Sequence, residues 1–165
     1  MSVSVRPATP ADREGIVALH QAVAAIPGGL ARRPEEVTAD YGDSALANDV
    51  CLVAVEAEGF ICGEIHASRE PLAIFAHVLG GLTVAVHPER QGQGIGSQLF
   101  EALIAWARAA QPEILRIELE TGAGNHGAMR LYERLGFKHE GRQAARGRLP
   151  DGRFEDDILM GMLLF

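Results

Sequence analysis

Two spacings of apolar residues divide the chain: a step of two, which marks strands, and steps of three and four, which mark helices. Val3 and Val5 alternate with Ser2 and Ser4, so a first strand is predicted over 3–6. Thr9-Pro10-Ala11-Asp12 reads as a helix entry, with Thr as cap, Pro in the first turn and Asp against the dipole. Ile16, Leu19, His20 and Val23 then share one face up to about Ala25, and Pro27-Gly28-Gly29 ends the helix. On that face His20 is expected at the surface or half buried. A further helix entry, Arg32-Arg33-Pro34-Glu35-Glu36, is expected to run to Tyr41 or beyond. Val50–Glu56 and Phe60–Ser68 read as a hairpin around Glu58-Gly59. A loop over 69–76 leads into the next strand, with Phe75, His77 and Leu79 placed at its start and a bulge expected at Gly80-Gly81.

That strand ends in Leu82-Thr83-Val84-Ala85-Val86, an apolar, β-branched run stopped by His87-Pro88. A turn with Gly92, Gly94 and Gly96 follows. Ile95, Leu99, Leu103 and Trp106 then fall on one helical face to about Ala110. Pro112 breaks the chain, and Ile114–Thr121 alternates with Ile117, Leu119 and Thr121 on one side and Arg116, Glu118 and Glu120 on the other. Strand, helix and strand of this length predict a parallel, right-handed crossover. Asn125 opens a helix to Leu135, capped by Gly136. Residues 137–146 and 153–164 pair across Pro150-Asp151-Gly152.

Composition narrows the functional classes. At 165 residues the chain is expected to be one domain, residues 1–165, with a real core, and 47% apolar content argues against disorder. No apolar run nears the ~20 residues of a membrane span, and MSVSVRPATP lacks the pattern of a secretory signal, so the cytoplasm is the default expectation and no membrane partner is expected. A net charge of −7 argues against nucleic acid and suits a cationic substrate, although solubility explains it as well. If the first hairpin has a two-residue loop, Cys62 pairs with Val55 and Cys51 with His66. The thiols then lie about 13 Å apart, too far for a disulfide. No metal-ligand spacing is present.

The stretch 82–97 carries the chemistry. Bare backbone before a helix start offers unpaired N–H groups and a positive dipole end, which suit a phosphate. Gly92-x-Gly94-x-x-Ser97 also fits a dinucleotide fingerprint, with Glu118 and Glu120 about 20 residues on, but five residues separate its strand from Gly92. No Lys-Ser/Thr pair follows, so a P-loop is excluded. A tight turn with no ligand remains the plain alternative.

Two segments carry a family resemblance. Gln91-Gly92-Gln93-Gly94-Ile95-Gly96 resembles the Gln/Arg-x-x-Gly-x-Gly/Ala signature of the GCN5-related N-acetyltransferases (GNAT). Asn125-His126-Gly127-Ala128-Met129-Arg130-Leu131-Tyr132, with Leu135-Gly136-Phe137 and Glu140-Gly141, resembles their second conserved segment. The resemblance covers nearly the whole chain, most weakly over 26–49 and 70–80. It implies an α+β fold: a mixed, mostly antiparallel sheet of about seven strands flanked by helices and splayed between its two central parallel strands. It further implies acetyl transfer from acetyl-CoA to a primary amine, without a metal. By this likeness Gln91, Gly92, Gln93, Gly94, Ile95, Gly96 and Ser97 would hold the pyrophosphate. Val84, Ala85, Val86 and Asn125 would line the pantetheine arm, and backbone N–H near Val86 would face the oxyanion. Tyr132 would protonate the leaving thiolate.

Glu120 is the expected general base, acting through water, with Glu64, His66 and His77 as other groups directed at the same cleft. Arginine is commoner than Gln91 at its position, so one fixed charge is missing unless Arg90 supplies it. The end of the first helix and the segment after it would line the acceptor pocket, where Arg32 and Arg33 could meet a carboxylate. Gly141, Asp151-Gly152-Arg153-Phe154, Asp156 and Met160 resemble members that act on amino acids, amino-acid-like herbicides or protein N-termini. A small amino compound ranks first as acceptor and a protein amine second. A homodimer is compatible with the likeness. A non-catalytic acyl-CoA-binding module is the rival of another class.

Overall fold

The computed structural model describes residues 2–165. Seven strands form one sheet: β1 Val3–Pro7, β2 Val50–Glu56, β3 Ile61–Arg69, β4 Val78–Val86, β5 Arg116–Gly122, β6 Lys138–Arg148 and β7 Phe154–Leu163. Their spatial order is β1-β2-β3-β4-β5-β7-β6. Neighbours are antiparallel except β4 and β5, which are parallel. The helices are α1 Arg13–Ala24, α2 Ala39–Leu46, α3 Ile95–Ala109 and α4 His126–Leu135. No helix among the described residues is long and apolar enough to cross a membrane.

Each face of the sheet is covered by one helix pair. On the first, Leu99, Phe100 and Leu103 of α3 pack on Ile65, Ile117 and Met160. Gly63 sets how closely α3 approaches: a Cβ there would stand 2.9 Å from Ile95 and Leu99 side-chain atoms. On the second face, Ile16, Leu19 and Val23 of α1 pack on Val53, Ile61 and Ala85. Burial of these aliphatic side chains contributes roughly 1.5–3 kcal/mol each before entropy is set against it.

Four local readings are corrected. The first hairpin has a three-residue loop. Gly59 N donates to Glu56 O, Glu56 N donates to Phe60 O, and Gly59 has φ +86°. The extra residue shifts the ladder, so Ala54 faces Gly63 and Val55 faces Ile61, which leaves Cys62 unpaired; Cys51 faces His66 as expected. Both thiols are free, Cys62 buried and Cys51 half-buried. Second, Thr9 does not cap through its side chain. Instead Asp12 accepts from Thr9 N at 2.7 Å and from the Arg6 guanidinium at 2.8 and 2.9 Å. Third, the predicted second helix is two pieces, a 3-10 turn over Pro34–Glu36 and then α2, because Val37 and Thr38 are extended. Fourth, Phe75 belongs to a 3-10 turn over Ala73–Phe75, and β4 begins only at Val78.

Candidate active site

The central strands are joined by two rungs. Val78 pairs with Arg116 and Leu79 with Ile117, while β4 runs on to Val86 and β5 to Gly122. The bulge expected in β4 begins just past the last rung. Gly80 faces Ser68 and Thr83 faces His66, so Gly81 and Leu82 together oppose Ala67. Gly81 has φ +58°, a conformation that glycine adopts without a Cβ clash.

Ladder parity then decides which amides of β4 are free. His87 N donates to Cys62 O, and antiparallel pairs alternate between bonded and non-bonded. Ala85 therefore turns its amide toward Glu64, its partner on β3, whereas Val84 and Val86 turn theirs away from β3, toward the gap beside β5. Val86 O accepts instead from Gln91 Nε2 at 3.3 Å. A strand with unsatisfied N–H and C=O groups on a half-buried edge is a ready site for an extended, amide-bearing chain.

The glycine loop follows at once. A 3-10 turn over Pro88–Arg90 leads to Gly92 at φ +75° and Gly94 at φ +80°, and a Cβ on either would meet no protein atom within 4 Å. Gln98 N is the first amide of α3 bonded back, to Gly94 O, so the Ile95, Gly96 and Ser97 amides lie in the helix's unbonded first turn. The Ile95 side chain is buried, leaving its backbone for any ligand. Arg90 supplies no free charge: its Nε donates to Glu56 Oε1 at 2.6 Å, and the guanidinium lies near the Phe60 ring. The amide nitrogen of Gln93 reaches Glu89 O. The cradle is thus made of backbone dipoles rather than of side-chain cations.

On the same face of the sheet, Tyr132 packs edge-on against Phe100, with ring centroids 5.4 Å apart, and against Phe137 at 6.1 Å. Burial pushes its phenol up to about 12. Its hydroxyl has no hydrogen bond to protein, yet no buried side-chain N or O among the described residues lacks a partner, so the hydroxyl reaches accessible space. Asn125 caps α4, accepting from Ala128 N at 3.2 Å.

The opposite face holds the acidic groups. Glu118 and Glu120 lie on the side of β5 away from α3. Glu118 accepts from Arg116 Nε at 3.0 Å and comes within 3.5 Å of where a Gly80 Cβ would stand. Glu120 is exposed and holds no hydrogen bond. His77 lies outside β4 and is exposed, so it does not join this group. Arg32 lies over the Tyr41 ring at 4.6 Å.

Sequence reasoning directed Glu64 and His66 at this cleft but missed that His20, Tyr41 and Cys51 join them. Glu64 is fully buried and accepts from His20 Nε2 at 2.7 Å, His66 Nδ1 at 2.9 Å and Cys51 Sγ at 3.2 Å, while Tyr41 Oη lies 3.1 Å from His20 Nδ1. His20, expected near the surface, has no exposed area. Burial pushes the Glu64 carboxyl up, but the hydrogen bonds from His20 and His66 outweigh it and hold the group down at about 2. Burial, followed by the nearby Glu64 charge, drives the Cys51 thiol far above its ordinary range, so it stays a thiol. The available signal was a Glu-x-His pair on a strand whose adjacent positions, Ile61 to Gly63, Ile65 and Ala67, carry no side-chain charge or oxygen.

The sequence description "Acetyltransferase (GNAT) family" matches residues 18–137. An L-methionine sulfoximine/L-methionine sulfone acetyltransferase of Pseudomonas aeruginosa is 31% identical over 174 aligned residues, spanning 99% of this chain and 96% of that protein. An acetyltransferase of the GNAT family from Streptococcus pneumoniae superposes with a TM-score of 0.82 at 26% identity, covering 99% of this chain and all of that one. The yncA protein of Salmonella typhimurium, solved with its cofactor acetyl-CoA, superposes at 0.79 with 22% identity, covering all of this chain and 95% of that one.

Proposed function

This chain belongs to the GNAT family of acetyltransferases, and on that premise we propose that it moves the acetyl group of acetyl-CoA to the primary amine of a small, amino-acid-like compound. The observation that carries the choice of acceptor is the end-to-end similarity to an enzyme named for L-methionine sulfoximine and L-methionine sulfone. The acidic second face supports it, since Glu118 and Glu120 beside the bulge attract an ammonium group.

The cofactor residues fit their proposed roles unevenly. The amides of Gly92, Gln93, Gly94, Ile95, Gly96 and Ser97 take the pyrophosphate, with open space where a Cβ on Gly92 or Gly94 would intrude. The outward amides of Val84 and Val86 line the pantetheine and the thioester carbonyl; Ala85 contributes only its side of the strand. Gln91 acts indirectly, by holding Val86 O. Asn125 sets the start of α4 and thereby the height of Tyr132.

Acetyl transfer requires a neutral amine, a stabilised oxyanion and a protonated leaving thiolate. Tyr132 serves the last, because a phenol held at about 12 keeps its proton across the working range until a thiolate forms beside it. Val84 and Val86 N–H serve the second. The first falls to the acidic face, where Glu120 and the Glu64 group stand.

The test is acetyl-CoA turnover, read as free thiol, against L-methionine sulfone, L-methionine sulfoximine, other amino acids, polyamines, aminoglycosides and N-terminal peptides. Fastest turnover with an amino-acid analogue is expected. Turnover only with peptides would replace the small-molecule reading, and saturable binding of acetyl-CoA without turnover would replace transfer by a binding role.

A further inference from the structure

We propose that His66 takes the proton from the acceptor amine and that Glu64 is its positioning residue, itself fixed by His20 and Tyr41. This rests on the acetyl-transfer reading above. An ionised carboxylate only accepts, so every ring nitrogen facing Glu64 carries a proton. His20 therefore donates through Nε2 to Glu64 Oε2, and its Nδ1 accepts from the Tyr41 hydroxyl. His66 donates through Nδ1 to Glu64 Oε1, which in the neutral ring leaves the lone pair on Nε2. Nε2 has no protein partner and is not sealed, since no buried side-chain N or O among the described residues is unpaired. The His66 side chain is 8% exposed. One fixed, directed proton acceptor thus emerges from an otherwise enclosed cluster.

Its position in the sheet suits the task. His66 faces Thr83 on β4, beside the Gly81-Leu82 bulge, on the sheet face that carries Glu118 and Glu120. Cross-strand neighbours stand about 5 Å apart, so His66 lies beside Thr83, with only β4 between it and the gap where Val84 and Val86 present their amides. Glu64 itself is enclosed and saturated by three donors, and Glu120 has no hydrogen bond to hold it in place. Stability alone does not account for Glu64. Taking a carboxylate out of water costs several kcal/mol, and apolar residues of like volume usually serve a core as well or better.

In the reaction the amine nitrogen forms its bond to the acetyl carbon and gives its proton to His66 Nε2. The carbonyl π pair moves to oxygen and returns as the C–S bond breaks, and the thiolate takes its proton from Tyr132. The imidazolium then loses a proton to solvent and the phenolate regains one, which restores both groups.

Steady-state kinetics with acetyl-CoA and the fastest amine of the panel test the assignment. His66→Gln is expected to lower kcat about 100-fold or more while acetyl-CoA affinity changes less than twofold, and added imidazole should restore part of the rate to His66→Gly. Glu64→Gln should lower kcat about tenfold, with the imidazole nitrogen NMR spectrum showing that His66 no longer prefers Nδ1–H. In the wild-type protein the same spectrum is expected to show Nδ1 protonated and Nε2 free; the opposite tautomer would overturn the proposal without any variant. A near-normal rate in His66→Gln, a lost rate that imidazole does not restore in a protein still binding acetyl-CoA, or a larger loss in Glu120→Gln would also overturn it. A wild-type protein inactive toward every amine would instead defeat the acetyl-transfer reading.

Discussion

Arg90 points its Nε at Glu56 Oε1 across 2.6 Å and is thereby drawn away from the glycine loop that follows it. With Gln91 bonded to Val86 O, no arginine of the Arg90-Gln91 pair is free for a phosphate. Gln91→Arg should therefore tighten acetyl-CoA binding by roughly 3- to 10-fold at low salt, and the gain should shrink as ionic strength rises. Isothermal calorimetry at two salt concentrations checks both statements.

Gly94 opens α3 in the left-handed region at φ +80°. Gly94→Ala should cost about 1–2 kcal/mol of stability from that conformation alone. It should also weaken acetyl-CoA at least tenfold, because the added methyl projects into the space around the loop and meets no protein atom. A chemical denaturation curve and a binding isotherm separate the two effects.

Tyr132→Phe removes a hydroxyl that bonds to nothing in the protein, so the melting temperature should hardly move while the aromatic cluster stays packed. Loss of a proton donor should lower kcat about 10- to 100-fold with little change in the KM for acetyl-CoA. If the tyrosine serves packing alone, the rate will stay near normal.

Asp12 shares the acid limb with Glu64. Its hydrogen bonds to Arg6 exceed the opposing effect of burial and, with the Thr9 amide, hold the carboxyl at about 2. A lowered folded value means the stabilisation is whole above the ordinary carboxyl range and fades as pH falls toward 2. Solvent around the exposed Arg6 guanidinium screens the pair and limits its worth to about 1 kcal/mol. Asp12→Asn should lose it at neutral pH and make the fall of stability below pH ~4 shallower, leaving the part that Glu64 carries.

Two tyrosines share the alkaline limb with the raised Cys51 and Cys62 thiols: Tyr41 and Tyr132 are both raised to about 12, by burial first and, for Tyr41, next by the Glu64 charge. Raised folded values mean that stability is whole below the ordinary phenol range of ~10 and is lost as pH climbs through 12. Since the chain holds no other tyrosine, tyrosinate absorbance should rise late and together with the loss of helical circular dichroism. Absorbance that rises near pH ~10 in a still-folded protein would contradict the burial of both rings.

The elements and the glycine loop were legible because their signals are local. Ile95, Leu99 and Leu103 do face the core, and Gly80-Gly81 does mark the bulge. The first hairpin was misjudged by one loop residue, since nothing in Glu58-Gly59 distinguishes a two-residue turn from a type I turn closed by a left-handed glycine. The Glu64 group was illegible for a different reason. Its members come from α1, α2, β2 and β3, so their meeting is a property of tertiary packing. A charged residue alternating along a strand reads as a solvated face, and only the helices laid over β3 make it an interior one.

Two rungs fastening β4 to β5 leave the sheet closed at one end and free at the other, in the manner of a clothes-peg. Such a joint can widen or narrow along its open length without breaking a ladder bond, because past Leu79 and Ile117 there is none between these strands to break. A small change of angle between the two halves would therefore leave the backbone pairing on either side intact.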